Sequence, residues 1–202
     1  MGHSTKRAAT YADLVAASDL LIAEIIFGRL VTHRRGDPRH NRTVTSLNTL
    51  LAPLFLHEGR QPNAWIGLYR PEVHLGPHVV VPDLAAWRRW RLTPFPEGDW
   101  IDIAPDWACE VLSPETERRD RDEKSTVYAK AGVCHLWLVN PASRTLEAFE
   151  RRSGKWLLLD VFRDDAKVAV APFANLAFSL EPLWRFNSPA TRAASTANRM
   201  KD

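Results

Sequence analysis

Several things are scarce in this sequence. There are only two cysteines and two methionines in 202 residues. No stretch approaches the roughly 18 consecutive apolar residues of a membrane-spanning helix, so no span is expected. Behind the basic start Met1-Gly-His-Ser-Thr-Lys-Arg7 there is no apolar segment of the kind a secretory signal needs, and a cytoplasmic location is expected. Cys109 and Cys134 fall in segments that read as strands and lack metal-ligand spacing. They are expected to be small buried apolar side chains in a reducing compartment. An excess of one charge is missing too. Lys and Arg number 27 against 24 Asp and Glu, a net charge of +3, so bulk electrostatics says little about a nucleic-acid partner.

What is present is an ordinary globular composition, 45% hydrophobic and 25% charged, with no internal repeat and no convincing linker. A chain of this length is most economically one domain, able to bury roughly 70% of its unfolded surface. That domain is expected over residues 1–187, with a disordered Ser/Thr/Ala/Asn/Lys tail over 188–202.

The local patterns alternate between two periods. Thr10-Tyr-Ala-Asp13 reads as a capping box, predicting a short helix over 11–17. Leu20–Thr32 reads as a hairpin turning at Phe27-Gly28. From Pro38 to Glu58, His40, Val44, Leu47, Leu51 and Leu54 share one helical face, with Pro53 inside and Gly59 as the stop. Strands are predicted over 63–69, 78–87, 107–112 and 134–140, and a helix over 116–131 ending at Gly132. A long loop covers 88–106, and Ser153-Gly154 marks a hairpin between 146–150 and 156–162, with an edge strand near 168–171. The strand–helix–strand run from Trp107 to Asn140 predicts a crossover unit, hence one α/β domain.

Two carboxylates stand out within apolar strands. Asp83 follows Val79-Val-Val-Pro82, and Glu110 lies in Trp107-Ala-Cys-Glu-Val-Leu112. Alternation puts Glu110 on one face with Ala108 and Leu112, opposite Trp107, Cys109 and Val111, and Asp83 on a face with Val79, Val81 and Ala85. An unpaired buried carboxylate costs several kcal/mol, so two of them call for a metal ion or a cation. Lys124 follows in a charged helix, with Asp120 four residues earlier as a pairing partner. Two carboxylates and a lysine suffice to hold Mg²⁺ against a phosphodiester. A glycosidase acid/base pair is chemically permitted, but it leaves Lys124 without a task. Two basic clusters, His33–Arg42 with Arg34 and Arg35, and Trp87–Arg91 with Arg88, Arg89 and Arg91, could contact phosphate and bases or could be solvated loops.

The motifs Pro82-Asp83, Glu110-Val-Leu-Ser-Pro-Glu-Thr116, Arg119-Asp-Arg-Asp-Glu-Lys124, Tyr128-Ala-Lys-Ala-Gly-Val133 and Leu136-Trp-Leu-Val-Asn-Pro141, in that order, resemble a bacterial restriction endonuclease family of the PD-(D/E)XK nuclease superfamily. The resemblance covers about residues 10–185. It implies an α/β fold with a restriction-endonuclease-like mixed central β-sheet flanked by helices, plus an extra antiparallel hairpin near the C-terminus. It also implies an endonuclease hydrolysing DNA with Mg²⁺ or Mn²⁺. Asp83 and Glu110, with the Val111 carbonyl oxygen, would be the metal ligands, and Glu24 an outer acid.

The superfamily's usual lysine position is Leu112 here, and the resemblance implies that Lys124 in the following helix replaces it. His40 would contact phosphate or the outer acid, or be a satisfied structural histidine. Tyr128 would line the site or pack in the core. Two departures stand out: the family's Asp-Gly-Glu turn is Phe27-Gly28-Arg29, and Asn140 stands where Asp is common. They keep open a catalytically silent module that binds DNA or a protein partner. The resemblance also leaves room for a homodimer.

Overall fold

The computed structural model describes residues 7–55 and 64–185. The expected helix stop at Gly59 and the expected tail from Ser188 lie outside them. Helix α1 (Tyr11–Val15) begins with the anticipated capping box, Thr10 and Asp13 bonding reciprocally. Strands β1 (Leu21–Ile26) and β2 (Arg29–Arg34) form the first hairpin. Both turn residues, Phe27 and Gly28, have positive φ, the geometry a two-residue hairpin loop requires. Helix α2 (Pro38–Phe55) starts with Asp37 Oδ1 accepting the His40 N–H at 2.9 Å, and Pro38 fits the first turn, where its missing N–H costs nothing. The predicted face is the buried one: His40, Val44, Leu47 and Leu51 are all enclosed.

Strands β3 (Trp65–Tyr69), β4 (Val73–Leu75), β5 (His78–Val80) and β6 (Leu84–Arg88) follow. They correct the single strand expected over 78–87. Its halves belong to different sheets: β5 joins the order β2-β1-β5-β4, while β6 joins a six-stranded sheet with β3. The break falls at Val81-Pro82-Asp83. Pro82 has no N–H to give a ladder, and both backbone groups of Val81 bond to side chains, its N–H to Glu24 and its carbonyl to Lys124. Asp83 therefore lies off the strand, at the seam between the sheets, and not on a strand face with Val79 and Ala85. The β4 strand lies between the strands predicted over 63–69 and 78–87, where none is predicted. The loop after β6 carries a short 3₁₀ helix, Arg89–Leu92, and a bridge from Ile101 to Val73.

Strands β7 (Trp107–Val111) and β8 (His135–Asn140) are parallel, as a crossover demands. The intervening helix is not uniform. Segment α3 (Glu117–Arg119) runs through a π-helical turn (Asp120–Lys124) into α4 (Ser125–Ala131), which ends at Gly132 in the left-handed conformation. Strands β9 (Thr145–Arg152) and β10 (Lys155–Arg163) form the second hairpin, continuous with the central sheet because β9 pairs with β8. The six-stranded sheet is mixed, in the order β10-β9-β8-β7-β6-β3. Beyond it, β11 (Lys167–Val168) pairs with β12 (Phe178–Ser179), and α5 (Glu181–Trp184) packs on α2. Among the described residues no helix is long and apolar enough to cross a membrane.

The two faces of the central sheet bury different cores. Trp107, Cys109 and Val111 pack with α2 residues Val44, Leu47 and Leu51 and with Phe173 and Trp184. Ala108 and Leu112 pack with Val127 and Tyr128 of α4 and with Ile26, Val73 and Val80 of the smaller sheet. This is the alternation expected for β7, and it turns Glu110 toward α4. Cys109 is buried as expected. Cys134 is exposed, one residue before β8 begins, and corrects the expectation that both thiols are enclosed.

Candidate active site

Glu24, Asp83, Glu110, Asp120 and Lys124 converge although they come from β1, the sheet seam, β7 and the π turn. All five side chains are buried. The Lys124 ammonium lies 2.8 Å from Glu110 Oε1 and 3.0 Å from Glu24 Oε1, donates to the Val81 carbonyl at 3.1 Å, and sits 3.9 Å from Asp120 Oδ1. The expected Asp120–Lys124 pairing is present, but enclosed and not on a solvated helix face. Asp83, Glu110, Asp120 and Lys124, with His33, Arg34, His40, Arg70, Val81 and Ser113, line a cavity of about 390 Å³, and Glu24 lies behind Lys124.

Asp83 is held from three sides. Its Oδ2 accepts the Val111 N–H at 2.9 Å and lies 2.9 Å from His40 Nε2, while Arg70 Nε donates to Oδ1 at 3.4 Å. His40 thus contacts Asp83 and not Glu24, the acid it was expected to meet. Tyr128 is buried as a core residue and also donates its hydroxyl to Glu110 Oε1. It packs in the core and reaches Glu110 without lining the cavity. The Lys124 and Tyr128 contacts both fall on Oε1 of Glu110, away from Oε2. Glu24 Oε2 is buried without a hydrogen bond, with His33 Nε2 at 3.7 Å and Arg119 Nε at 3.9 Å.

One ammonium among four carboxyls cannot satisfy all of them. Burial pushes the Glu24 carboxyl upward, but Lys124, His33 and the Val81 N–H overcome it and hold Glu24 down at about 2. Burial likewise opposes the ionised form of Asp83, and the bonds from His40 and Val111 win, keeping it below its ordinary value. The same contact raises His40 against its own burial. Burial raises Glu110 well above the usual carboxylate range; Asp120, Asp83 and Glu24 add to the shift and Lys124 offsets only part of it. Burial raises Asp120 as well. For Lys124, the three acids outweigh burial and keep it charged. Lys124 is thus shared between Glu110 and Glu24, and Glu110, surrounded by the other acids, is the carboxyl whose ionised form is most disfavoured.

The basic residues divide. Arg34 lines the cavity, whereas Arg35 Nη2 donates to the Asp19 carbonyl. Arg88 stacks over Trp65 with its Cζ 4.0 Å from the ring centroid, and Arg91 pairs with Asp106 at 2.8 Å. Arg88, Arg89 and Arg91 lie at or beyond the end of β6 opposite Asp83. Asn140 caps the turn after β8, accepting the Ala142 and Ser143 N–H groups. The sequence patterns did not single out Arg70, Asn41 or Arg119.

Fold and site together define the class: an α/β protein of the nuclease type, in which a mixed sheet and the helix beyond β7 bring carboxylates and one lysine to a single cavity. The chain belongs to the Uma2 family, described as "Putative restriction endonuclease", whose model matches residues 9–181. It is similar to a solved structure described as a putative nuclease belonging to DUF820 from Anabaena variabilis ATCC 29413. The TM-score is 0.67 and the identity 22%, over 81% of this chain and 89% of that one. At that identity the likeness concerns the fold. No curated protein matches the chain.

Proposed function

We propose that the chain hydrolyses phosphodiester bonds in DNA with Mg²⁺ or Mn²⁺, as the PD-(D/E)XK reading implies. The observation that supports this most is Lys124, buried between Glu24 and Glu110 at 3.0 and 2.8 Å, in the cavity that Asp83 also lines.

The donors suit a hard cation. Among the described residues, no three or more His, Cys, Asp or Glu side chains are grouped to hold a metal ion. Mg²⁺ asks for less: one or two carboxylates, with water and substrate phosphate completing its shell. Asp83, Glu110 through Oε2 and the Val111 carbonyl oxygen would supply the protein ligands, and Glu24 would serve as the outer acid. Burial and the neighbouring acids disfavour the ionised form of Glu110, and a divalent cation there would favour it. When bound, such a cation polarises a phosphoryl oxygen and lowers the pKa of water.

The protein residues do the rest. Lys124 orients the attacking water and stabilises charge developing on the phosphorane. His40 and the Val111 N–H fix the direction of Asp83, and Tyr128 fixes Glu110.

The test is nicking of supercoiled DNA with added Mg²⁺ or Mn²⁺. Cleavage is expected from the wild type and is expected to disappear in Asp83→Ala, Glu110→Ala and Lys124→Ala. A wild type that binds DNA with salt-dependent affinity but cleaves neither DNA nor RNA supports the silent binding module instead. Absence of Mg²⁺ and Mn²⁺ binding as well ends the enzyme reading.

A further inference from the structure

Arg70 is the one charged group on Asp83 that the proposed chemistry does not use. It follows β3 and precedes Pro71, yet its φ is 45°. Proline crowds the residue before it toward extended conformations, and the left-handed region is unfavourable for a residue bearing a Cβ. Such a conformation persists only where surrounding contacts enforce it, and functional sites are where these conformations collect.

Here the polar contacts converge on Asp83 and the residues beside it, while Cζ lies over the Tyr69 ring at 5.2 Å. The Arg70 N–H donates to the Asp83 carbonyl at 3.1 Å and Nε to Oδ1 at 3.4 Å, while Nη2 lies 3.3 Å from Asn41 Oδ1 and 3.5 Å from His40 Nδ1.

The backbone is anchored and the guanidinium is not. Its three polar side-chain contacts span 3.3–3.5 Å, the long end of hydrogen bonding. A structural arginine in the same molecule behaves differently: Arg121 grips Glu147 with two bonds of 2.9 and 2.7 Å. Arg70 also lines the cavity. A planar, permanently charged fork held loosely at the edge of a candidate phosphodiester site is the group best suited to a phosphate oxygen pair.

We propose that Arg70 has two partners in turn: it neutralises Asp83 in the free protein and passes to the scissile phosphate when a divalent cation takes Asp83. This rests on the phosphodiesterase reading above.

The two roles make opposite demands, which separates them from a merely structural one. Removing a competing cation from Asp83 strengthens divalent binding, whereas removing a phosphate ligand weakens cleavage. In calorimetric titration without DNA, Arg70→Gln is expected to bind Mn²⁺ about fivefold more tightly than wild type. Plasmid nicking at saturating Mn²⁺ is expected to fall on the order of 100-fold. Arg70→Lys, the safer variant for folding, is expected to bind Mn²⁺ as wild type does and to nick roughly tenfold more slowly, because a point charge replaces the fork.

Joint weakening of Mn²⁺ binding and nicking in both variants overturns the proposal, as does wild-type nicking by Arg70→Gln. A wild type that neither binds Mn²⁺ nor nicks DNA defeats the phosphodiesterase reading itself and this inference with it. Where the wild type does both, the behaviour of the two variants bears on Arg70 alone.

Discussion

Gly36 leaves room for the His40 ring: a Cβ at position 36 would lie 2.4 Å from His40 Nδ1, and the backbone there has φ of 42°. The imidazole whose other nitrogen holds Asp83 is thus positioned by an absent side chain four residues earlier. Gly36→Ala is expected to cost about 1–2 kcal/mol in stability from the left-handed conformation and to lower DNA nicking as far as His40→Ala does. Gly76→Ala provides the control. Its φ is 63° but nothing lies within 4 Å of the added methyl, so a similar loss of stability should leave nicking unchanged. Denaturant melts beside nicking assays decide it.

Glu110 makes stability depend on pH in a direction opposite to most carboxylates. Its folded value is raised from 4.5, so the native state holds the proton more tightly than the unfolded chain. The stabilising contribution is fully present below the unfolded value and is lost as pH rises through the folded one. Glu110→Gln lacks this loss. Without divalent ions, its melting temperature is expected to gain on that of wild type as pH rises above about 5, by a few degrees at neutrality. Asp120 titrates in the same sense in both proteins. Adding Mg²⁺ should raise the wild-type melting temperature and leave the variant unmoved.

Glu24 titrates the other way, its folded value being lowered. Glu24 is held at about 2 from an ordinary 4.5, so its contribution is present above pH 4.5 and disappears as pH falls toward 2. Lys124→Met should cost about 3–5 kcal/mol at neutral pH, because buried acids lose their cation. A cycle with Glu24→Gln should show a coupling of about 1–3 kcal/mol. The Glu24→Gln protein should also have a flatter stability profile between pH 4.5 and 2. Urea denaturation across pH measures both.

The seat of α2 on the sheet depends on another glycine. A Cβ on Gly67 in β3 would meet the Phe55 ring at 2.3 Å, so the ring lies directly on the strand backbone. Gly67→Ala is expected to destabilise by about 1–3 kcal/mol through overpacking, and Gly67→Ala combined with Phe55→Leu to recover part of that loss. Thermal melts of the single and double variants test it.

Much of this arrangement was legible from residues alone, and the reasons differ by element. The period-2 pattern from Trp107 to Leu112 assigned Glu110 its face because both faces of β7 are covered by recognisable partners. The helical face carrying His40 was equally plain. Residues 78–87 misled because unbroken apolar character hides a change of sheet, and the informative residue was Pro82. The Asp83–His40 bond joins distant segments through an imidazole that sits on an ordinary apolar stripe, and no local pattern announces that contact. Arg70 was invisible because its left-handed backbone runs against what an Arg-Pro pair ordinarily adopts.

The π turn at Asp120–Lys124 inserts one extra residue into the winding of the helix. Each residue advances an α-helix by roughly 100°, so deleting one residue from this turn would rotate everything downstream by about that angle. Lys124 and Tyr128 would swing off the acids together, while Arg121 and its grip on Glu147 stayed behind. The surplus residue acts as a phase setting, and it aligns two stretches of one helix with different neighbours.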